Sequence, residues 1–115
     1  MFENSMANYN DLGDKVFEWR IRPLGWEKYL ASTSFASDRE GAAKELSRVE
    51  ELMNEGLLEA IIERTSKGYF RVLIAHEGPK ILEIVASTPH PLRKRKNCYQ
   101  MLKKIDPKGL IKRMG

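Results

Sequence analysis

The chain has 115 residues, 42% of them hydrophobic and 31% charged, and its 20 Lys+Arg against 16 Asp+Glu leave a net charge of +4. That length suits one domain around one core. No stretch approaches the ~18 consecutive apolar residues of a membrane span, and the single cysteine, Cys98, cannot form an internal disulfide.

Residues 1–14 show no hydrophobic period and read as a flexible leader without the basic-then-apolar order of a secretory signal, which points to a cytoplasmic protein. From Lys15 onward Phe17, Trp19 and Ile21 alternate with Glu18, Arg20 and Arg22, the pattern of a half-buried strand that Pro23-Leu24-Gly25 ends. Residues 27–34 are expected as its hairpin partner. Ser37 and Glu40 have the spacing of a capping box, and Ala42, Leu46, Val49 and Met53 then mark the apolar face of a helix that Gly56 closes. Its other face, with Glu40, Lys44, Glu45, Arg48, Glu51 and Glu55, is mainly acidic.

Residues 57–64, 69–76 and 80–88 are expected as three strands of an antiparallel meander, separated by Thr65-Ser66-Lys67-Gly68 and Glu77-Gly78-Pro79. Pro89-His90-Pro91 stops the last of them. Cys98, Met101, Leu102 and Ile105 then recur at i, i+3, i+4 and i+7, predicting a helix from about Arg93 until Pro107 forbids it, followed by a basic tail over 106–115. The expected fold is α+β and two-layered over residues 15–105, in the order β-β-α-β-β-β-α. A single antiparallel sheet of about five strands carries two helices on one face.

Phe17-Glu18-Trp19-Arg20-Ile21 can be laid on Phe70-Arg71-Val72-Leu73-Ile74, and Ala31-Ser32-Thr33 on Ala86-Ser87-Thr88. The step from Ala31 to Leu46 equals that from Ala86 to Met101. This predicts an internal repeat of a strand-strand-helix unit, one copy at 15–56 and one at 69–105, joined by the strand at 57–64. The aromatic-x-Trp-Arg-Ile opening, with Leu30-Ala31-Ser32-Thr33-Ser34-Phe35-Ala36-Ser37 ahead of an Ala-containing helix, resembles the YegP-like repeat family of small bacterial and archaeal proteins. The resemblance covers about residues 15–105. It implies tandem or dimerised strand-rich units that end in a helix, share one antiparallel sheet and exchange a strand, and it carries no established activity. The chain departs from the family in having Gly25-Trp26 and Gly78-Pro79 where an Asn-Gly turn is common, and Pro89-His90-Pro91 ahead of the second helix.

Neither His76 nor His90 has metal-ligand or catalytic-triad spacing, and both are expected as exposed loop histidines. Cys98 is expected as a buried structural thiol. No glycine-rich phosphate loop is present and the carboxylates concentrate on a wet helix face, so a non-enzymatic protein is expected, with no catalytic, cofactor or metal residues.

The charge is what separates the two halves of the chain. Residues 1–63 hold 7 basic and 13 acidic side chains, and residues 64–115 hold 13 and 3. Arg93, Lys94, Arg95, Lys96, Lys103, Lys104, Lys108, Lys112 and Arg113 face only Asp106 within residues 89–115. With Cys98, Met101, Leu102 and Ile105 turned inward, Arg93, Lys96, Gln100, Lys103 and Lys104 fall outward as a cationic stripe. Lys103 and Lys104 suit a helix C-terminus, whereas four cations at the N-terminus oppose the dipole and repel one another. An anion is therefore expected to compensate them: the acidic first helix, a nucleic acid or an acidic partner protein. Residues 44–105, read as helix, three strands and helix with a basic cluster opening the last, also resemble the double-stranded-RNA-binding domain, which implies phosphate contacts across a groove. Phe17, Trp19, Tyr69 and Phe70 are either core or a stacking surface for bases.

The sequence thus predicts a small non-catalytic module whose nine cations in residues 89–115 contact RNA or DNA through the backbone. The alternative is an adaptor or inhibitor, a monomer or homodimer, that uses its opposed acidic and basic faces.

Overall fold

Alternating apolar residues between Leu58 and Ser87 organise the molecule. The structure is a computed structural model and describes residues 17–18, 24–26, 28–33, 35–36 and 38–113. Its elements in chain order are β1 (Phe17–Glu18), β2 (Ala31–Ser32), β3 (Phe35–Ala36), α1 (Arg39–Asn54), β4 (Leu58–Arg64), β5 (Phe70–Glu77), β6 (Leu82–Ser87), α2 (Arg95–Ile105) and β7 (Lys112–Arg113). The fold is α+β, with one five-stranded sheet in the order β2-β6-β5-β4-β7 and a separate two-stranded ladder of β1 with β3.

The meander β4-β5-β6 lies where the alternation predicts it, antiparallel throughout. Three expectations are corrected around it. Among the described residues the first strand pairs just past residues 27–34, β1 with β3, and β2 pairs with β6. Tyr29 and Leu30 donate their amides to the Trp26 carbonyl, so the chain turns there instead of extending. The sheet is mixed and not wholly antiparallel, because β7, in the predicted tail, runs parallel to β4. The cap of α1 is Asp38, whose Oδ1 accepts the Gly41 amide at 2.7 Å; Ser37 itself lies outside the described residues, as do Trp19, the predicted leader at 1–14 and the last two residues. One residue of displacement leaves Glu40 too early for the reciprocal half of a capping box. Gly56 ends the helix at φ 72°, a conformation glycine adopts without steric cost.

Both helices cover one face of the sheet. Ala42, Leu46, Val49 and Leu52 of α1 and Cys98, Met101, Leu102 and Ile105 of α2 pack with Leu58, Ala60, Val72, Ile74 and Ala86 in a single core. Leu52 takes the fully buried position and Met53 only borders it. The equivalent segments of the predicted repeat meet at the sheet's edge, where Ala31 pairs with Ser87 and Ser32 with Ala86.

A bulge in β6 decides what the helices see. Ile74 is opposite Ala86 but Ala75 is opposite Ile84, so Val85 is an extra residue and both Val85 and Ala86 enter the core. Beyond it the alternation is reversed. Glu83 turns to the helix side opposite His76, while Ile84 and the half-exposed Leu82 join Ile61 and Leu73 on the face away from the helices. Arg48 of α1 grips the carboxylate of Glu83 with both guanidinium nitrogens, and His76 Nδ1 lies 3.9 Å from the same oxygen. His76 is thereby a strand residue at the helix–sheet junction and not an exposed loop histidine.

The hydrogen bond from Arg48 holds the Glu83 carboxyl below its ordinary range, against a smaller opposing effect of burial. A carboxyl lowered on folding stabilises above its unfolded pKa and stops doing so as pH falls through the folded value. Glu83→Gln should therefore lower stability in urea titrations by about 0.5–1 kcal/mol at neutral pH, a figure discounted for the pair's partial exposure. On acidification below the carboxylate range the difference from the parent should vanish. Equal stability at neutral pH would show the pair contributes nothing.

Candidate nucleic-acid interface

The basic residues sit on α2 and on the segment that follows it. α2 begins at Arg95, two residues later than the spacing suggests, with Lys94 as a cap that offers no side-chain acceptor. The contrast with α1 is chemical: an aspartate satisfies the first turn of α1, whereas the first turn of α2 has only cations around it. Cys98, Met101, Leu102 and Ile105 point inward as their spacing requires, and Lys96, Gln100, Lys103 and Lys104 are exposed along the opposite side. Eleven residues make this stripe ~16 Å long.

All nine candidate cations are exposed, and among the described residues none is within 4.0 Å of a carboxylate. Two acids of α1 are engaged within the helix, Glu40 with Lys44 and Glu45 with Arg48. Two of the nine rest on aromatic rings: the Arg95 guanidinium lies 5.1 Å from the centre of Phe70, and the Lys104 ammonium 5.9 Å from that of Tyr29. Such contacts position a cation without neutralising it. Phe70 also borders the core, and Tyr69 is 41% exposed on the turn beside it.

The nine do not form one patch. Arg93, Lys94, Arg95 and Lys96 gather at one end of α2, and Lys103, Lys104 and Lys108 at the other. Lys112 pairs in register with Glu59 and Arg113 with Ala60. Because neighbours in a strand face opposite ways, Lys112 belongs to the face of the sheet away from the helices, while Arg113 stays on their side.

What was expected as a tail is ordered by Asp106. This residue is 4% exposed, and its two carboxylate oxygens accept the Leu110 amide at 2.8 Å and the Ile111 amide at 2.9 Å. Gly109, at φ 70°, completes the turn, and Ile111 enters the core. One residue earlier, Ile105 accepts a 2.8 Å hydrogen bond from the indole of the fully buried Trp26.

Hollows flank both helices, one of about 220 Å³ between Leu24, Met53, Ile105, Lys108 and Leu110 where the two helices end. A shallow one of about 350 Å³ on α1 lies between Glu40, Lys44, Ser47 and Arg48, side chains of one wet helix face. A cavity of about 200 Å³ adjoins α2, lined by Lys28, Tyr29, Thr88, His90, Leu92 and Met101. It escapes a linear reading because residues of three separate segments make it. Burial pushes the Cys98 thiol up, so it stays protonated and unreactive. Among the described residues no group of His, Cys, Asp or Glu is placed to hold a metal ion, and no helix is long and apolar enough to cross a membrane. The chain matches no protein-family model, no curated protein and no solved structure.

Asp106→Ala should cost about 2–4 kcal/mol, since two amides lose a charged acceptor and one of them is buried. Hydrogen exchange should then accelerate selectively at Leu110 and Ile111. Unchanged protection at both amides would mean the carboxylate does not hold the turn.

Proposed function

We propose that the protein is a non-catalytic module that binds a polyanion, RNA or DNA, through phosphate contacts made by α2 and the turn after it. The observation that carries this reading is that nine exposed cations have no carboxylate partner among the described residues. Like charges crowded at an uncapped helix N-terminus are unfavourable in isolation, and an external anion relieves both the repulsion and the unsatisfied amides. Glu40 and Glu45 of α1 do not play that part, because their ion pairs with Lys44 and Arg48 stay within the helix. Contact is to the backbone, which positions without reading sequence. The cytoplasm, where nucleic acid is met, is the matching location.

A second reading, a self-associating adaptor, has in its favour the apolar residues on the sheet face away from the helices, with Ile81 73% and Leu82 48% exposed and Ile61, Leu73 and Ile84 partly so. Sedimentation across a concentration series separates the two: a monomer at every concentration removes self-association.

In mobility-shift titrations the protein should bind nucleic acid at about 50 mM salt and lose affinity steeply as salt rises, with a log–log slope of about −0.7 to −0.9 per phosphate neutralised. Combined charge reversal (R93E, K94E, R95E, K96E) should weaken binding by about tenfold or more and flatten that slope. Lys112→Glu, on the other face, should change it little. No binding at low salt would overturn the reading, and undiminished binding of the fourfold variant would overturn the site.

A further inference from the structure

The cavity beside α2 combines two properties that a simple phosphate-binding surface does not need. Its floor is apolar: Leu92 is half-buried, Met101 is 6% exposed, and Tyr29 packs against the core. One lining residue is a cation and three more adjoin the lining residues. Lys28 lines it and is exposed, Lys104 lies over the Tyr29 ring, and Arg93 and Lys94 directly follow Leu92 in the chain. No carboxylate lines it.

We propose that this cavity receives one unpaired nucleobase of a single-stranded nucleic acid whose phosphates run past Lys28, Arg93, Lys94 and Lys104. The inference rests on the polyanion reading and narrows it to the class of strand. A phosphate alone makes no use of an apolar floor. An apolar peptide side chain uses the floor but gains nothing from the surrounding cations. A nucleobase uses both, since its flat faces pack on an aromatic ring and a thioether while its backbone carries the charge that the rim attracts. Bases in a duplex are stacked and paired and have no free face to offer, so the hollow discriminates against duplex. Lys28, Tyr29 and His90 thereby join the interface, none of them part of the basic segment.

The test is fluorescence anisotropy with the full chain and three probes: a thymidine single strand, the same strand with abasic sites, and the thymidine strand paired to its complement. The thymidine strand should bind about five- to a hundredfold tighter than its abasic counterpart, which carries the same charge, and tighter than the duplex. Tyr29→Leu, which keeps an apolar side chain but releases Lys104, should lower affinity for the thymidine strand at least about fivefold more than for the abasic strand. A strand bearing 5-iodouracil should photo-crosslink to Tyr29 or His90, a readout that needs no variant. Equal affinity for thymidine and abasic strands, preference for the duplex, or crosslinks confined to other segments would overturn the proposal while salt-dependent binding leaves the polyanion reading standing. If none of the three probes binds, both fall together.

Discussion

A carboxylate buried at the end of α2 sets the course of everything after it. Asp106 leaves solvent and must find donors, because a buried charge without hydrogen bonds is too costly to keep. It finds them in the amides of Leu110 and Ile111, four and five residues on. That choice bends the chain back, carries Ile111 into the core and delivers β7 alongside β4. The Trp26 indole meets Ile105 at the same place, so the N-terminal segment, α2 and the last strand are tied at a single junction. Lys108 is presented on the turn, and Lys112 and Arg113 diverge to opposite faces, as a consequence of this geometry.

The split of charge along the chain acquires a structural meaning from the way each half uses its ions. In α1 two of the acids are paired within the helix, Glu40 with Lys44 and Glu45 with Arg48, and Arg48 also clamps Glu83 where the bulge exposes it to the helix. In α2 no such balance exists. The two cation–aromatic contacts hold Arg95 and Lys104 against the body of the protein while leaving their charge outward. A protein with the same composition and these ions paired would have no electrostatic face at all.

The helices and the meander were legible because periodicity reports burial directly: Ala42, Leu46 and Val49 on α1, and Cys98, Met101, Leu102 and Ile105 on α2, are core residues at the spacing of one helix face. The pairing of the short N-terminal strands was not, since β1, β2 and β3 are two residues each and alternation cannot choose among partners for so short a run. Asp106 was visible as the lone acid in a basic segment, yet a single aspartate after a helix has no signature that marks it as buried. His76 looked exposed because it stands near a turn; the bulge that brings Glu83 opposite it has no local sequence mark. The nine cations were all found by composition, but composition could not place Lys112 behind the sheet, nor assemble Lys28, Tyr29 and His90 around a cavity.

The junction at Trp26 and Ile105 has a consequence for the order in which the molecule assembles. Its partners are 79 residues apart, and the parallel pairing of β7 with β4 encloses the whole of β5, β6 and α2 between them. The meander needs only neighbouring segments and can form early, whereas these two closures pay the entropy of long loops before any contact rewards them. The meander's local contacts are therefore expected to precede these two closures, which wait for residues 105–113. Until the closures are made, the apolar face of the meander lacks the cover that Trp26 and Ile111 supply.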